Sequence, residues 1–353
     1  MLSFPNDYFK NEIRLGFHVT AMMKRMWGAQ MEILSWIDET CKKHDINWIM
    51  CYGSLLGTVR HRGFIPWDDD IDIAMLRVDY ERFMDAVAAG LPPYLRTKSL
   101  LPGAIAPKEM CFGINNGTRI DTTPEFLERF HGCPYSTGVD IFVFDRVPTD
   151  SEEFAYQDRL IRLLDRLLML QWAVNDKSIG EPEYSEYCNI KMAMENELSY
   201  TFNNTEPMEL QILRLLDLAC GLCEDCGSED VENREQVIYY GKVGFKDRYF
   251  TDRIWMPFEG VMDVPIPRDY NTLLTKIFGD YQMPRKHTSQ HEYPIYKYQR
   301  IRLYEEHIKR GWDIPEIYLE YDENGKLIVD PEDVKREMDE GNLPPLAKGG
   351  SGG

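Results

Sequence analysis

The apolar positions of the chain fall into two periods. Between about residues 19 and 44, Met26, Gln30, Ile33, Ile37 and Cys41 recur at helical spacing, and Trp27 and Leu34 widen the stripe. This predicts one amphipathic helix. Residues 46–52, rich in Trp, Ile and Tyr, then read as a strand that stops at Gly53-Ser54. A loop with several glycines is expected from there to Trp67. Acids and apolars alternate over residues 70–75, which predicts a second strand, with Asp79 as the cap of a helix over 80–89. Residues 138–147, GVDIFVFDRV, carry the strongest strand signal. Asp150, followed three residues later by Glu153, has the form of a capping box opening a helix over 151–174.

Residues 175–205 have weak helical character. A helix is expected over 207–222, with Leu210, Leu213, Leu216 and Cys220 on its stripe, and another around 270–278 after the VPIP run at 264–267. Asn324-Gly325, between the apolar runs 317–319 and 327–329, predicts a C-terminal β-hairpin. The class is therefore α+β: a mixed sheet flanked by helices, an additional helical region and that hairpin. Strand-like segments dominate before residue 150, so 1–150 reads as a sheet-bearing core, the expected seat of any catalytic site, and 151–348 as a mainly helical region packed around it. Residues 349–353 read as an added linker.

Composition narrows the function. The 353 residues carry 40 Lys plus Arg against 59 Asp plus Glu, a formal charge of −19. Such a surface repels nucleic acid and anionic lipid at long range. The expected partners therefore exclude nucleic acid, and membrane contact is at most weak and peripheral. Nothing in the sequence resembles a spanning helix or a secretory leader. The eight cysteines are then read as reduced thiols and the protein as cytoplasmic, with contact limited to the inner face of the membrane.

The deciding segment is CYGSLLGTVRHRGFIPWDDDIDIAM, residues 51–75. In a strand, Asp68, Asp70 and Asp72 share one face while Ile71 and Ile73 point to the core. Like charges at that spacing repel, and a divalent cation offsets them; oxygen ligands favour Mg²⁺ or Mn²⁺. Upstream, Gly53 lets a phosphate approach the backbone, and N–H groups with the Ser54 hydroxyl can hold it. Taken singly, an acidic pentapeptide is a solvated turn and Gly-Ser is a bend. Together they form the pairing of phosphate and metal sites that phosphoryl transfer requires.

These residues resemble the signature of the LicD family, phosphocholine transferases of bacterial surface polysaccharides, to which fukutin and fukutin-related protein are distantly related. The family belongs to the nucleotidyltransferase-fold superfamily. Gly53-Ser54 and Asp70-Ile71-Asp72-Ile73 fill its general pattern, and the spacer over residues 55–69 suits the RHxGFIPWDDD insertion. GVDIF at 138–142 resembles the strand bearing the third carboxylate, which would make Asp140 a further metal ligand or the group that takes the acceptor's proton. Residues 258–284, FEGVMDVPIPRDYNTLLTKIFGDYQMP, resemble the family's C-terminal segment. The resemblance implies metal-dependent transfer of a substituted phosphate, such as phosphocholine, from a CDP-linked donor to a glycan hydroxyl. Such donors are cytosolic, consistent with the expected location. Asp70 and Asp72 would bind metal with help from Asp68, and Arg60 or His61 would contact donor phosphate or brace the loop against Asp68 or Asp69. Two alternatives stand: transfer of NMP from an NTP to a small acceptor, and an inactive binding protein of the same fold. Acceptor choice is expected in 151–250 and past 300, which match nothing in the family pattern.

Three other features invite a reading. Cys220, Cys223 and Cys226 have the spacing of a structural zinc site, or of small core residues at a helix end. Trp67, Trp255 and Tyr281 suit a cage for a quaternary ammonium, or ordinary packing. His287 and His291, bracketed by Pro284 and Pro294, read as loop residues rather than a metal pair.

Overall fold

The computed structural model describes residues 1–107, 110–285 and 293–340. The linker at 349–353 and the His287–His291 pair lie outside them. An N-terminal ribbon, β1 (Glu12–Arg14) and β2 (Phe17–Val19), precedes α1 (Ala21–His44). Thr20 caps α1 by accepting the Met23 N–H at 3.1 Å. The expected stripe is buried: Met26, Trp27, Ile33, Leu34, Ile37 and Cys41 all face the core.

The strand expected at 46–52 shortens to β3 (Ile49–Met50), because the chain turns into a helix at Tyr52, whose φ is +42°. The expected glycine loop is in fact α2 (Tyr52–His61). Its glycines serve close approach rather than chain reversal: a Cβ on Gly57 would come 2.5 Å from the Gly63 carbonyl oxygen. Next come β4 (Asp72–Leu76) and α3 (Arg77–Ala89). Asp79 falls inside the first turn of α3 instead of capping it, and its carboxylate accepts the Asn47 N–H at 3.1 Å. The chain then forms β5 (Arg96–Lys98), β6 (Phe112–Asn115), a short α4 (Pro124–Arg129) and β7 (Gly138–Arg146).

After β7 come α5 (Ser151–Asn175), capped by Asp150 as expected, α6 (Glu181–Glu197) and α7 (Met208–Cys220). α6 buries only Met194, which is why its periodicity is weak in sequence. Then follow β8 (Asp230–Glu232), α8 (Arg234–Tyr240), β9 (Phe245–Lys246), α9 (Arg248–Thr251), β10 (Arg253–Phe258) and β11 (Met262–Pro267). The helices α10 (Tyr270–Phe278), α11 (Lys297–Arg310) and α12 (Pro331–Glu340) complete the described chain.

The fold is α+β. A mixed sheet runs in the order β3-β4-β7-β6-β5, and β8, with β9 beside it, pairs with the last residues of β7. Only β4 and β7 are parallel within this sheet; the other pairings are antiparallel. The C-terminal hairpin is corrected. Gly325 makes its turn at φ +77°, but the flanks reduce to one bridge, Tyr321 to Leu327, and Glu316–Tyr318 is a 3₁₀ turn. Buried Glu320 is committed elsewhere: it accepts the Tyr296 hydroxyl at 2.8 Å and pairs with Arg300 at 3.0 Å. No described helix is long and apolar enough to cross a membrane.

The helical region is fastened to the sheet by a buried guanidinium. Arg77 holds Asp145 at 2.7 and 3.1 Å and Asp217 of α7 at 2.6 Å. Arg77→Met leaves Asp145 buried without its cation. It is expected to cost about 3–5 kcal/mol in chemical denaturation, and Asp145→Asn in the same chain should recover part of that loss.

Candidate active site

β4 begins at Asp72, and its parallel pairing sets Asp72 beside Asp140 of β7, with Ile73 beside Ile141. In-register neighbours on adjacent strands lie about 4.8 Å apart and point to the same face. The backbone on both sides is fixed. Asp140 donates its N–H to the Ile71 carbonyl at 2.9 Å, and Cys51 donates to the Asp72 carbonyl at 3.0 Å. The Asp72 N–H goes to Ser54 Oγ at 2.9 Å. The Ser54 hydroxyl therefore anchors the carboxylate strand to the first turn of α2, and its own proton remains for a further acceptor. Gly53 lies close beneath Asp68: a Cβ there would come 2.9 Å from Asp68 Oδ2 and oblige that carboxylate to move.

Three successive carboxylates crowd this point: Asp68, Asp69 and Asp70 each place one oxygen within 4.8 Å of the others. That tightest group differs from the set chosen by strand alternation, Asp68, Asp70 and Asp72. Asp69 is the odd member. It is fully buried, and its Oδ2 accepts the Ile295 N–H at 2.6 Å while its carbonyl accepts Gln30 Nε2 at 2.8 Å. It ties the turn to the C-terminal segment. Burial pushes the Asp70 carboxyl well above the usual range, and Asp72, Asp68, Asp69 and Asp140 add to this by repulsion. Burial likewise raises Asp72, reinforced by Asp140 and Asp68 and opposed by Lys98. The Lys98 ammonium lies 2.7 Å from Asp140 Oδ1 and 3.5 Å from Cys111 Sγ. Sequence reasoning missed it: a lysine ending a three-residue strand looks solvated, and only the strand register brings it to Asp140.

Arg60 and His61 occupy the last turn of α2, about 10 Å along the helix from Ser54. Arg60 donates to His61 Nε2 at 2.8 Å and to the Tyr281 carbonyl at 2.9 Å, so it braces Tyr281 rather than Asp68 or Asp69. His61 is held neutral, lowered to about 4 by burial and then by Arg60 and Arg14. It lines a separate cavity of about 260 Å³ with Arg14, Leu15, Arg62, Phe64, Pro66 and Glu259. The cysteine trio does not converge: Cys223 and Cys226 lie within hydrogen-bond reach of each other, but Cys220 is apart from them. Cys220 is buried at the end of α7, Cys223 sits in the following 3₁₀ turn, and Cys226 Sγ points to the Val147 carbonyl at 3.9 Å. Among the described residues, the one group with metal-ligand spacing is the aspartate turn. Of the three aromatics, Trp67 adjoins Asp68 and meets Phe17 edge-on at 6.2 Å, and Phe17 meets Tyr293 at 5.4 Å. Trp255 instead lies under Lys42 at 4.8 Å, and Tyr281 is buried with its hydroxyl on Asn271.

Residues 45–106 match the sequence profile described as LicD/FKTN/FKRP, nucleotidyltransferase domain. That stretch is similar to the LicD-type nucleotidyltransferase domain. The segment carries Ser54, Asp68, Asp70, Asp72 and Lys98. The chain is 46% identical over 55 residues to the lipopolysaccharide cholinephosphotransferase LicD of Haemophilus influenzae, covering 16% of this chain and 21% of that protein. It is 44% identical over 45 residues to an uncharacterized protein of Rickettsia typhi, covering 13% of this chain and 15% of that one. An uncharacterized protein of Rickettsia prowazekii is 46% identical over 41 residues, 12% of this chain and 15% of that one. The matches span about a fifth or less of these curated relatives. Asp140 and the C-terminal segment that holds Asp69 lie outside the LicD-family profile.

The electrostatics of this cleft give a signed test. With raised folded values for Asp70 and Asp72, the fold binds more protons than the unfolded chain above about pH 4. Stability without metal therefore falls as pH rises through that window. Asp72→Asn removes one repelling charge. In EDTA its Tm should equal or exceed the parent's, with a gap that widens from pH 5 to pH 9. Mg²⁺ should raise the parent's Tm more than the variant's, since a ligand stabilises only the state that binds it. Equal Mg²⁺ shifts would remove Asp72 from the ligand set.

Proposed function

We propose that this chain transfers a substituted phosphate, with phosphocholine as the leading case, from a CDP-linked donor to a hydroxyl of a cell-surface glycan or its precursor. The observation that carries the reading is the in-register pairing of Asp72 with Asp140 beside Asp70, with the first turn of α2 at the same point. The cholinephosphotransferase named in Haemophilus influenzae supports the head group and the acceptor class.

The donor set fits a hard divalent cation. It consists of carboxylate oxygens only, and two of the carboxyls are buried against like charge. Asp70, Asp72 and Asp140 would hold Mg²⁺ or Mn²⁺, with Asp68 assisting. A bound cation would neutralise phosphate oxygen charge as the transferred group moves. The Ser54 hydroxyl and the open N–H groups at the start of α2 face the same anion. The acceptor hydroxyl attacks the phosphorus bearing the head group, the bond to the CMP oxygen breaks, and CMP leaves. The hydroxyl proton passes to a cleft carboxylate, for which Asp140 is the candidate. Trp67, with Phe17 behind it, supplies aromatic surface beside Asp68 suited to a quaternary ammonium. CDP-linked donors are cytosolic, so the reaction is assigned to the cytosolic side.

The competing reading moves NMP from an NTP with the same carboxylates and differs in the phosphorus attacked. Incubation with Mg²⁺ and CDP-choline, CDP-ethanolamine, CDP-glycerol, CDP-ribitol or CTP separates the two. CMP release from a CDP-linked donor supports the proposal, pyrophosphate release from CTP supports nucleotidyl transfer, and neither leaves an inactive fold. Asp70→Asn and Asp140→Asn should each lower CMP release by more than about a hundredfold, beyond the cost of losing an outer-shell partner, with the fold retained.

A further inference from the structure

Four residues stand in one row across the sheet. Asp72 of β4 pairs with Asp140 of β7, Asp140 with Gly113 of β6, and Gly113 with Lys98 of β5. Residues in such a row project to the same face. Lys98 begins two strands from Asp140, about 10 Å away. Its stem spans that gap by passing over Gly113. A Cβ there would lie 2.7 Å from the Val139 carbonyl oxygen and 3.2 Å from Asp140 Oδ1, so the glycine leaves room beside Asp140, while Lys98 Cε at 3.5 Å would be in ordinary contact. At 4% exposure the lysine is almost wholly withdrawn from water, a placement rarely seen without a charged partner. Its partner is Asp140 Oδ1 at 2.7 Å.

We propose that Lys98 is a positioning residue of the carboxylate cleft. It engages Asp140 Oδ1, fixes the orientation of that side chain, and leaves Oδ2 as the oxygen offered beside Asp72. The inference rests on reading Asp72 and Asp140 as part of a divalent-cation site. Removing Lys98 has two effects of opposite sign. Losing the orientation of a ligand weakens cation binding, typically by about 10–100-fold. Losing a nearby positive charge strengthens it. The direction of the change in affinity separates a positioning role from a merely electrostatic one.

The experiment is Mn²⁺ titration by calorimetry on the parent, Lys98→Met, Asp140→Asn and the double variant, each first shown to be folded by its metal-free melting curve. Lys98→Met should weaken Mn²⁺ binding by at least about tenfold. In the Asp140→Asn background the same change should add less than about twofold, because Lys98 acts through Asp140. Lys98→Arg, which keeps the charge and a donor, should stay within about threefold of the parent and serves if Lys98→Met does not fold. With CDP-choline, Lys98→Met should lower kcat by at least about tenfold while KM moves less than about threefold. Tighter or unchanged Mn²⁺ binding in Lys98→Met overturns the assignment, as does a loss in Lys98→Arg as large as in Lys98→Met. A raised KM at parental kcat would put Lys98 on the substrate and overturn it too. A parent that binds Mn²⁺ but releases no CMP defeats the transfer reading alone. A parent that binds no Mn²⁺ removes the cation site and this assignment together.

Discussion

Asp72 and Asp140 are neighbours across a parallel strand pair, an arrangement that opposes folding. Like charges directly opposite on adjacent strands repel, and here the carboxylates are also largely withdrawn from water. The pairing survives because the residues around it are among the best packed in the molecule. Ile71, Ile73, Ala74 and Met75 on one strand and Val139, Ile141 and Val143 on the other are buried. The backbone bonds from Ser54 and Cys51 leave the Asp72 peptide no slack. Strain of this kind, held by the surrounding core, belongs to sites rather than to scaffolding.

The turn that delivers Asp68, Asp69 and Asp70 is braced from both ends of the chain. Phe64 stacks on Trp27 at 4.5 Å with the rings 3° from parallel, and Trp27 Nε1 donates to the Asp68 carbonyl at 3.2 Å. Glu259, in the β10–β11 turn, accepts the Phe64 N–H at 2.9 Å, the Tyr8 hydroxyl at 3.0 Å and the Arg14 guanidinium at 2.6 and 2.8 Å. From the other side, Ile295 donates to Asp69. A carboxylate cluster that repels itself needs such external fixing, because its own members supply none.

The elements legible in sequence were those with a long apolar period. α1, α5, α7 and β7 follow their stripes closely, because burial of one face dominates over a full helix or a nine-residue strand. α2 was misread as a loop because Gly53 and Gly57 look like breakers; their role as contact points appears only when Asp68 and Gly63 are opposite them. β5 and β6 carry no periodicity long enough to read, and Lys98 and Gly113 were invisible with them. Alternation singled out Asp68, Asp70 and Asp72, but only Asp72 lies in the strand: Asp68 and Asp70 belong to the turn before it, where Asp69 joins them, and Asp140 was named from the family resemblance rather than from pattern. The pairing of Lys98 with Asp140 depends on three registers at once, and local pattern encodes none of them.

The segment that matches the LicD/FKTN/FKRP profile is short, and the structure explains why it is not a separable module. β4, inside residues 45–106, finds its parallel partner only at β7, outside them. Lys98, also inside, acts on Asp140 across Gly113, both outside. Asp69 is satisfied by Ile295, still further along the chain. Arg77 of the segment is neutralised by Asp145 and Asp217, the second on a helix that matches no part of the family pattern. Arg214 of that helix donates to the Leu100 carbonyl at 3.0 Å, two residues past Lys98. A stretch of about sixty residues buries too little surface to fold securely alone, and this one would also expose an unpaired strand and several uncompensated charges. The regions beyond the profile therefore complete the cleft as well as surround it. Sequence differences there can reach Asp140 and Asp69 through single hydrogen bonds. The carboxylates of residues 45–106 thus owe their placement to groups that the profile does not cover.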